Sequence, residues 1–189
     1  MRHDVFISYC QSDKQTADAA CARLEAQGLR CWIAPRDILP GLEWVEAIVE
    51  GISHSKVMIV VTSNQTNDSK WVLREIQVAV GRGTKILSFQ IDGPELSPSM
   101  GFLLSPVQKL DATPPPPEQY FGELFRAVRA LDPSIPEGPP LTNRGPGEAA
   151  PSFWQELDRG GMLVVFGRFL NEFQFFERSG LVGYGDAMA

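Results

Sequence analysis

Lys56-Val57-Met58-Ile59-Val60-Val61 is almost continuously apolar. A strand with one wet face alternates apolar and polar residues, whereas this run offers water no polar side and so reads as a strand buried on both faces. Strands of that kind belong to parallel sheets, because each parallel pair needs a crossover of about a dozen residues and the crossovers lay helices over both faces. The flanking sequence agrees. Asp4 to Tyr9 (DVFISY) is a compact apolar run rich in β-formers, and Ser12-Asp13 supplies helix-start chemistry before Ala17, Ala20, Cys21 and Leu24, with Gly28 closing the helix. Leu29 to Ile33 predicts a second strand, and Leu42 to Ile52 a second helix with Trp44, Val45, Ile48 and Val49 turned inward. After the central run, Ser69 to Val80 predicts a third helix ending at Gly81 and Gly83. Thr84 to Ile91 and Val107 to Leu110 predict strands four and five, and Tyr120 to Leu131 a closing helix. The pattern predicts a doubly wound α/β fold around a five-stranded parallel sheet.

Sheets of this class bind ligands beyond the carboxyl ends of their strands, where the strand order reverses. Here that rim carries Ser8-Tyr9, residues 34–41 and residues 62–69. Neither GxGxxG nor GxxxxGK[ST] occurs, which excludes the familiar glycine-loop modes of phosphate binding. A phospho-acceptor receiver needs acidic residues at the ends of strands one and three; the chain has Ser8-Tyr9-Cys10 and Val61-Thr62-Ser63 there.

Composition narrows the partners. Seventeen Lys and Arg against 23 Asp and Glu leave a net charge of −6, so no basic field recruits nucleic acid. No apolar run approaches the roughly 18 residues of a membrane span, and Asp4 lies where a signal peptide needs apolar residues, so a cytoplasmic location is expected. Cys10, Cys21 and Cys31 are odd in number and widely spaced, and only His3 and His54 could join them, so reduced thiols and no metal are expected. Ten of the 15 prolines fall between Pro114 and Pro151. Residues 133–151 read as a Pro/Gly-rich linker between a body, 1–132, and a tail, 152–189. In the tail, apolar residues at 162, 165, 166, 169, 170, 173 and 176 form an amphipathic stripe that must be buried against the body, a second copy or a protein partner, although MLVVFG reads equally as a strand.

On the third helix, Trp71 and Glu75 are four residues apart and share one face at the binding rim. Spacing alone is met as well by a core indole and a solvated acid. Three motifs in order then carry a resemblance: DVFISY at 4–9, PRDILPG at 35–41 and SKWVLRE at 69–75 resemble the Toll/interleukin receptor homology (TIR) family over residues 1–132. Cys10 stands where several members carry Arg. The resemblance implies the flavodoxin-like TIR fold of the prokaryotic, NAD-consuming type. It implies an enzyme that cleaves the nicotinamide–ribose bond of NAD to give nicotinamide and ADP-ribose or a cyclic isomer, in antiphage defence. Glu75 is then the catalytic residue, and Ser8, Tyr9, Trp71, Arg36 and Asp37 are substrate contacts. NAD is substrate, with no cofactor and no metal. Activation is expected through a partner or through self-assembly by the loop at 34–41, whose apolar tip is Ile38-Leu39. The alternative is a non-catalytic TIR adaptor that uses the same loop for protein–protein association.

Overall fold

The computed structural model describes residues 3–38, 41, 43–93, 95–135 and 137–138. The tail expectation and the linker beyond residue 138 lie outside the described residues, as does Leu39 of the loop tip.

Strand β1 (His3–Ser8) is followed by a short 3-10 turn, Gln11–Asp13, and helix α1 (Lys14–Ala26). Then come β2 (Cys31–Ile33), α2 (Trp44–Ser53), β3 (Ser55–Thr62), α3 (Lys70–Arg82) and β4 (Lys85–Gln90). Helix α4 (Pro98–Leu104), β5 (Gln108–Asp111) and α5 (Phe121–Leu131) complete the described chain. The five strands are all parallel, in the order β2-β1-β3-β4-β5, so the order reverses at β1. As the sequence predicts, Val57 to Val61 of β3 are wholly buried.

Side chains of a strand point alternately to its two faces, and the core divides accordingly. Val5 and Ile7 of β1, Val57, Ile59 and Val61 of β3, and Leu87 and Phe89 of β4 pack with Ala17, Ala20, Cys21 and Leu24 of α1 and with Phe121, Leu124, Phe125 and Val128 of α5. The intervening residues, among them Phe6, Ser8, Met58 and Val60, face the layer of α2, α3 and α4.

Three expectations need correction. The inward face of α2 is Ala47, Ile48, Gly51 and Ile52, while Trp44 and Val45 are 37% and 53% exposed. The cause lies in β2, where Trp32 stacks on Phe6 of β1 with ring centroids 4.7 Å apart. A Cβ on Gly51 would come within 2.7 Å of that indole, so α2 must present its glycine there, which rotates its first turn outward. Secondly, the pattern of apolar residues leaves 92–106 without an element, yet α4 forms there. Its Ser97 accepts the amide of Met100 and Pro98 occupies the first turn, a start signal hidden by the helix's seven-residue length. Thirdly, packing continues past the expected body boundary: Ile135 is buried in the core, and a Cβ on Gly138 would meet the Gln27 carbonyl at 2.7 Å.

One carboxylate holds the N-terminal edge of the sheet together. Asp4 is buried and accepts from the Arg30 amide at 3.0 Å, from the Arg30 guanidinium and from Lys56 Nζ at 2.9 Å. Burial pushes its pKa up, but the bonds from Arg30 and Lys56 outweigh that and leave it below the ordinary carboxylate value.

Two outcomes are expected. Gly51→Ala should lower stability by about 1–3 kcal/mol in urea denaturation, because the new methyl meets an indole ring that is itself packed on Phe6. Asp4→Asn should lower it by about 1–3 kcal/mol at pH 7. Because the folded-state pKa is depressed, the wild-type advantage is present above the ordinary carboxylate value and is lost as pH falls through the depressed one; the two unfolding curves should converge in acid.

Candidate active site

Glu75 reaches the interior because of its neighbours on α3. Ser69 caps the helix by accepting the amide of Val72, and Gly83 ends it in a left-handed conformation at φ +68°. Val72, Ile76 and Ala79 are buried, and the face they define at a spacing of three and four includes Glu75. Glu75 is therefore drawn against the sheet, only 2% exposed, where Ser8 Oγ at the end of β1 donates to its Oε2 at 2.5 Å. The ordinary reading of Glu75 as a solvated surface acid does not hold. Trp71, one helical turn earlier, is half-buried.

Ser8 and Tyr9 separate, since consecutive residues of an extended chain face opposite ways. Ser8 faces α3, whereas Tyr9 belongs to the core beneath α1 and α5. The Tyr9 hydroxyl donates to the Ala34 carbonyl at 2.6 Å, tying the end of β1 to the segment after β2. Burial pushes its phenol pKa up, so it stays a neutral donor.

Arg36 and Asp37 are engaged within their own segment. Asp37 accepts the Ile33 amide at 2.8 Å, and Arg36 pairs with Asp37 and Glu25, each at 2.8 Å, and donates to the Cys31 carbonyl at 3.0 Å. These bonds fold the start of the loop onto α1 and β2.

A second polar cluster at the rim escaped sequence reasoning. Asp13 stands at the start of α1, as the sequence predicts, but its side chain makes no cap bond; it turns inward and accepts from Ser63 Oγ at 2.6 Å and from the Cys10 thiol at 2.8 Å. Thr66 Oγ1 accepts the Ser63 amide at 2.8 Å. Burial, reinforced by Asp13, pushes the Cys10 thiol pKa up. On the α3 face, Thr62 and Ser88 share a hydrogen bond of 2.9 Å between β3 and β4. Burial and pairing of these hydroxyls depend on strands distant in sequence, so no local motif announced them.

A doubly wound sheet reversing at β1 belongs to the class of α/β proteins whose ligands bind beyond the C-terminal ends of the strands, and the Ser8–Glu75 pair lies at that reversal. The TIR domain family model matches residues 5–125, and the chain belongs to that family. Among solved structures, the TIR domain of the Toll-related receptor TRR-2 from Hydra magnipapillata is similar at a TM-score of 0.57 and 24% identity, over 67% of this chain and 98% of that one. A TIR-STING receptor from C. gigas, solved in complex with 2′,3′-cGAMP, is similar at a TM-score of 0.57 and 25% identity, over 67% of this chain and 39% of that one. A stimulator of interferon genes protein from Magallana gigas is 35% identical over 79 residues, 41% of this chain. The match spans 19% of that curated relative's length.

Ser8→Ala should cost about 1–3 kcal/mol in urea denaturation, because it leaves a buried carboxylate short of a donor. Ser8→Thr, which restores a hydroxyl, should recover part of that loss.

Proposed function

We propose that this TIR domain is an NAD-consuming enzyme that breaks the bond between nicotinamide and ribose, with Glu75 as its catalytic residue. The observation that carries the reading is the Ser8–Glu75 pair: a carboxylate 2% exposed, fixed by a hydroxyl at the point where the strand order reverses. Taking a carboxylate out of water costs several kcal/mol. A carboxylate placed so is a strong negative charge in a weakly screening environment, which is what the reaction requires.

Heterolysis of the C1′–N bond returns the bonding pair to the pyridine nitrogen, so nicotinamide leaves neutral and needs no strong acid. Positive charge develops over C1′ and the ring oxygen. Glu75 stabilises that charge and accepts from the ribose hydroxyls, favouring the transition state over the ground state. Water attacking C1′ and losing a proton gives ADP-ribose; attack by a nucleophile of the same molecule gives a cyclic isomer. Ser8 orients the carboxylate. Trp71, on the same helix face, offers its ring to the cationic nicotinamide of NAD, worth roughly 0.5–2 kcal/mol. Arg36 and Asp37 act by shaping the segment beside the rim, and Tyr9 by anchoring it at Ala34. No cofactor is required by this chemistry. Assembly through residues 34–41 or a partner protein that engages the tail would raise activity, and antiphage defence is the setting that the enzyme class suggests. No helix among the described residues is long and apolar enough to cross a membrane, consistent with the cytoplasmic location proposed.

A second reading has its own observation. Phe102 of α4 is 80% exposed and Val45 of α2 is 53% exposed, which suits a surface used for association without catalysis.

The concentrated 189-residue chain incubated with NAD should release nicotinamide, and Glu75→Gln should reduce the rate by about 100-fold or more. Equal release by wild type and variant would overturn the role of Glu75. Absence of release from the wild type under crowded conditions and with its partner bound would favour the association reading. Mass spectrometry of the products distinguishes linear from cyclic ADP-ribose.

A further inference from the structure

The face of the sheet opposite Glu75 carries a cluster that the NAD chemistry does not use. Cys21 and Glu25 are one turn apart on α1, and Cys31 opens β2 beneath them. Their ligand atoms, two sulfurs and a carboxylate oxygen, all lie within 4.8 Å of one another. Both cysteines are buried, at 2% and 4% exposure. Spacing along the chain concealed the cluster, because the turn after Gly28 is what folds Cys31 back under α1.

A cation already stands over these atoms. The Arg36 guanidinium pairs with Glu25 at 2.8 Å and donates to Cys21 Sγ at 3.5 Å. Its side chain is 45% exposed and that of Glu25 is 36% exposed, so it is these two side chains that lie between the buried sulfurs and solvent. Two thiolates and one carboxylate form a donor set that suits Zn²⁺ or Cd²⁺, whereas Mg²⁺ and Ca²⁺ take all-oxygen sites. A tetrahedral zinc with Zn–S bonds of about 2.3 Å holds its sulfurs about 3.8 Å apart, so the three groups need to close only slightly, with water as the fourth ligand.

We propose that Cys21, Glu25 and Cys31 form a binding site for a thiophilic divalent cation of the zinc class, which enters by displacing the Arg36 guanidinium. The two thiols lose their protons to solvent as two metal–sulfur bonds form, and no electrons are transferred. Arg36 then gives up its bonds to Glu25 and Cys21. Since the same guanidinium holds the Cys31 carbonyl and Asp37, cation binding also loosens the start of the loop after β2. The site lies on the face away from Glu75, and its occupancy does not depend on whether the chain cleaves NAD.

The test uses the reduced 189-residue chain titrated with Co²⁺ under anaerobic conditions, with Zn²⁺ as competitor. The chain has only three cysteines, so each thiol is separately addressable. The expected result is one equivalent of cobalt with thiolate charge-transfer absorption, retained in Cys10→Ser and lost or halved in Cys21→Ser and in Cys31→Ser. Glu25→Gln, at a partly exposed position, should weaken binding about tenfold, and Arg36→Gln should tighten it about tenfold by removing the competing cation. These last two variants keep the test decisive if a cysteine variant fails to fold. Absence of charge-transfer absorption, its loss in Cys10→Ser, or its persistence in both Cys21→Ser and Cys31→Ser would overturn the site. Unchanged affinity in Arg36→Gln would overturn the displacement.

Discussion

β1 lies between β2 and β3 and is covered by a helical layer on each face, so from Asp4 to Ser8 it is removed from water. The polar side chains of that stretch, Asp4 and Ser8, must find partners inside the protein. That constraint organises the molecule. At one end of the strand, Asp4 gathers Arg30 and Lys56 from either side. At the other end, Ser8 gathers Glu75 from the helix above. Because the order of strands reverses at β1, the second pairing falls at the C-terminal end of the strand where neighbouring crossovers leave in opposite directions.

Glu75 is buried by its company rather than by its own preference. Val72, Ile76 and Ala79 form the face that α3 must remove from water, and the carboxylate lies within that face. The gain from burying those apolar side chains, about 25 cal/mol per Å², helps offset the several kcal/mol of desolvation for an anion. Placing an acid within that face is a costly arrangement, and it is the one on which the proposed chemistry rests. Asp4 and Asp13 are buried acids too, but Asp4 sits at the opposite end of β1 among Arg30 and Lys56, whereas Glu75 meets a neutral hydroxyl at the C-terminal end of the strand.

The alternation of side chains gives the two faces different chemistry. Ser8 serves the carboxylate of α3, while Tyr9, the next residue, ties the strand to Ala34 from the opposite side. Below Tyr9, the segment after β2 is moored through Arg36 to α1 and to the pair of buried cysteines. The rim therefore joins two regions of the fold that share a strand but face different layers.

Much of this was legible in local pattern. Continuous apolar runs at β1 and β3 and the periodic faces of α1, α3 and α5 determine a doubly wound sheet, because burial on one face or two leaves its period in the sequence. Trp71 and Glu75 could be placed on one face of one helix for the same reason. Local pattern does not determine which way α2 rotates, since the closeness of Trp32 to Gly51 joins two elements; nor does it show that Asp13 turns from its helix to Ser63 and Cys10. Nor could it bring Cys21, Glu25 and Cys31 together. Those facts depend on contacts between segments far apart along the chain, whose geometry exists only after the sheet has closed and the helices have packed upon it.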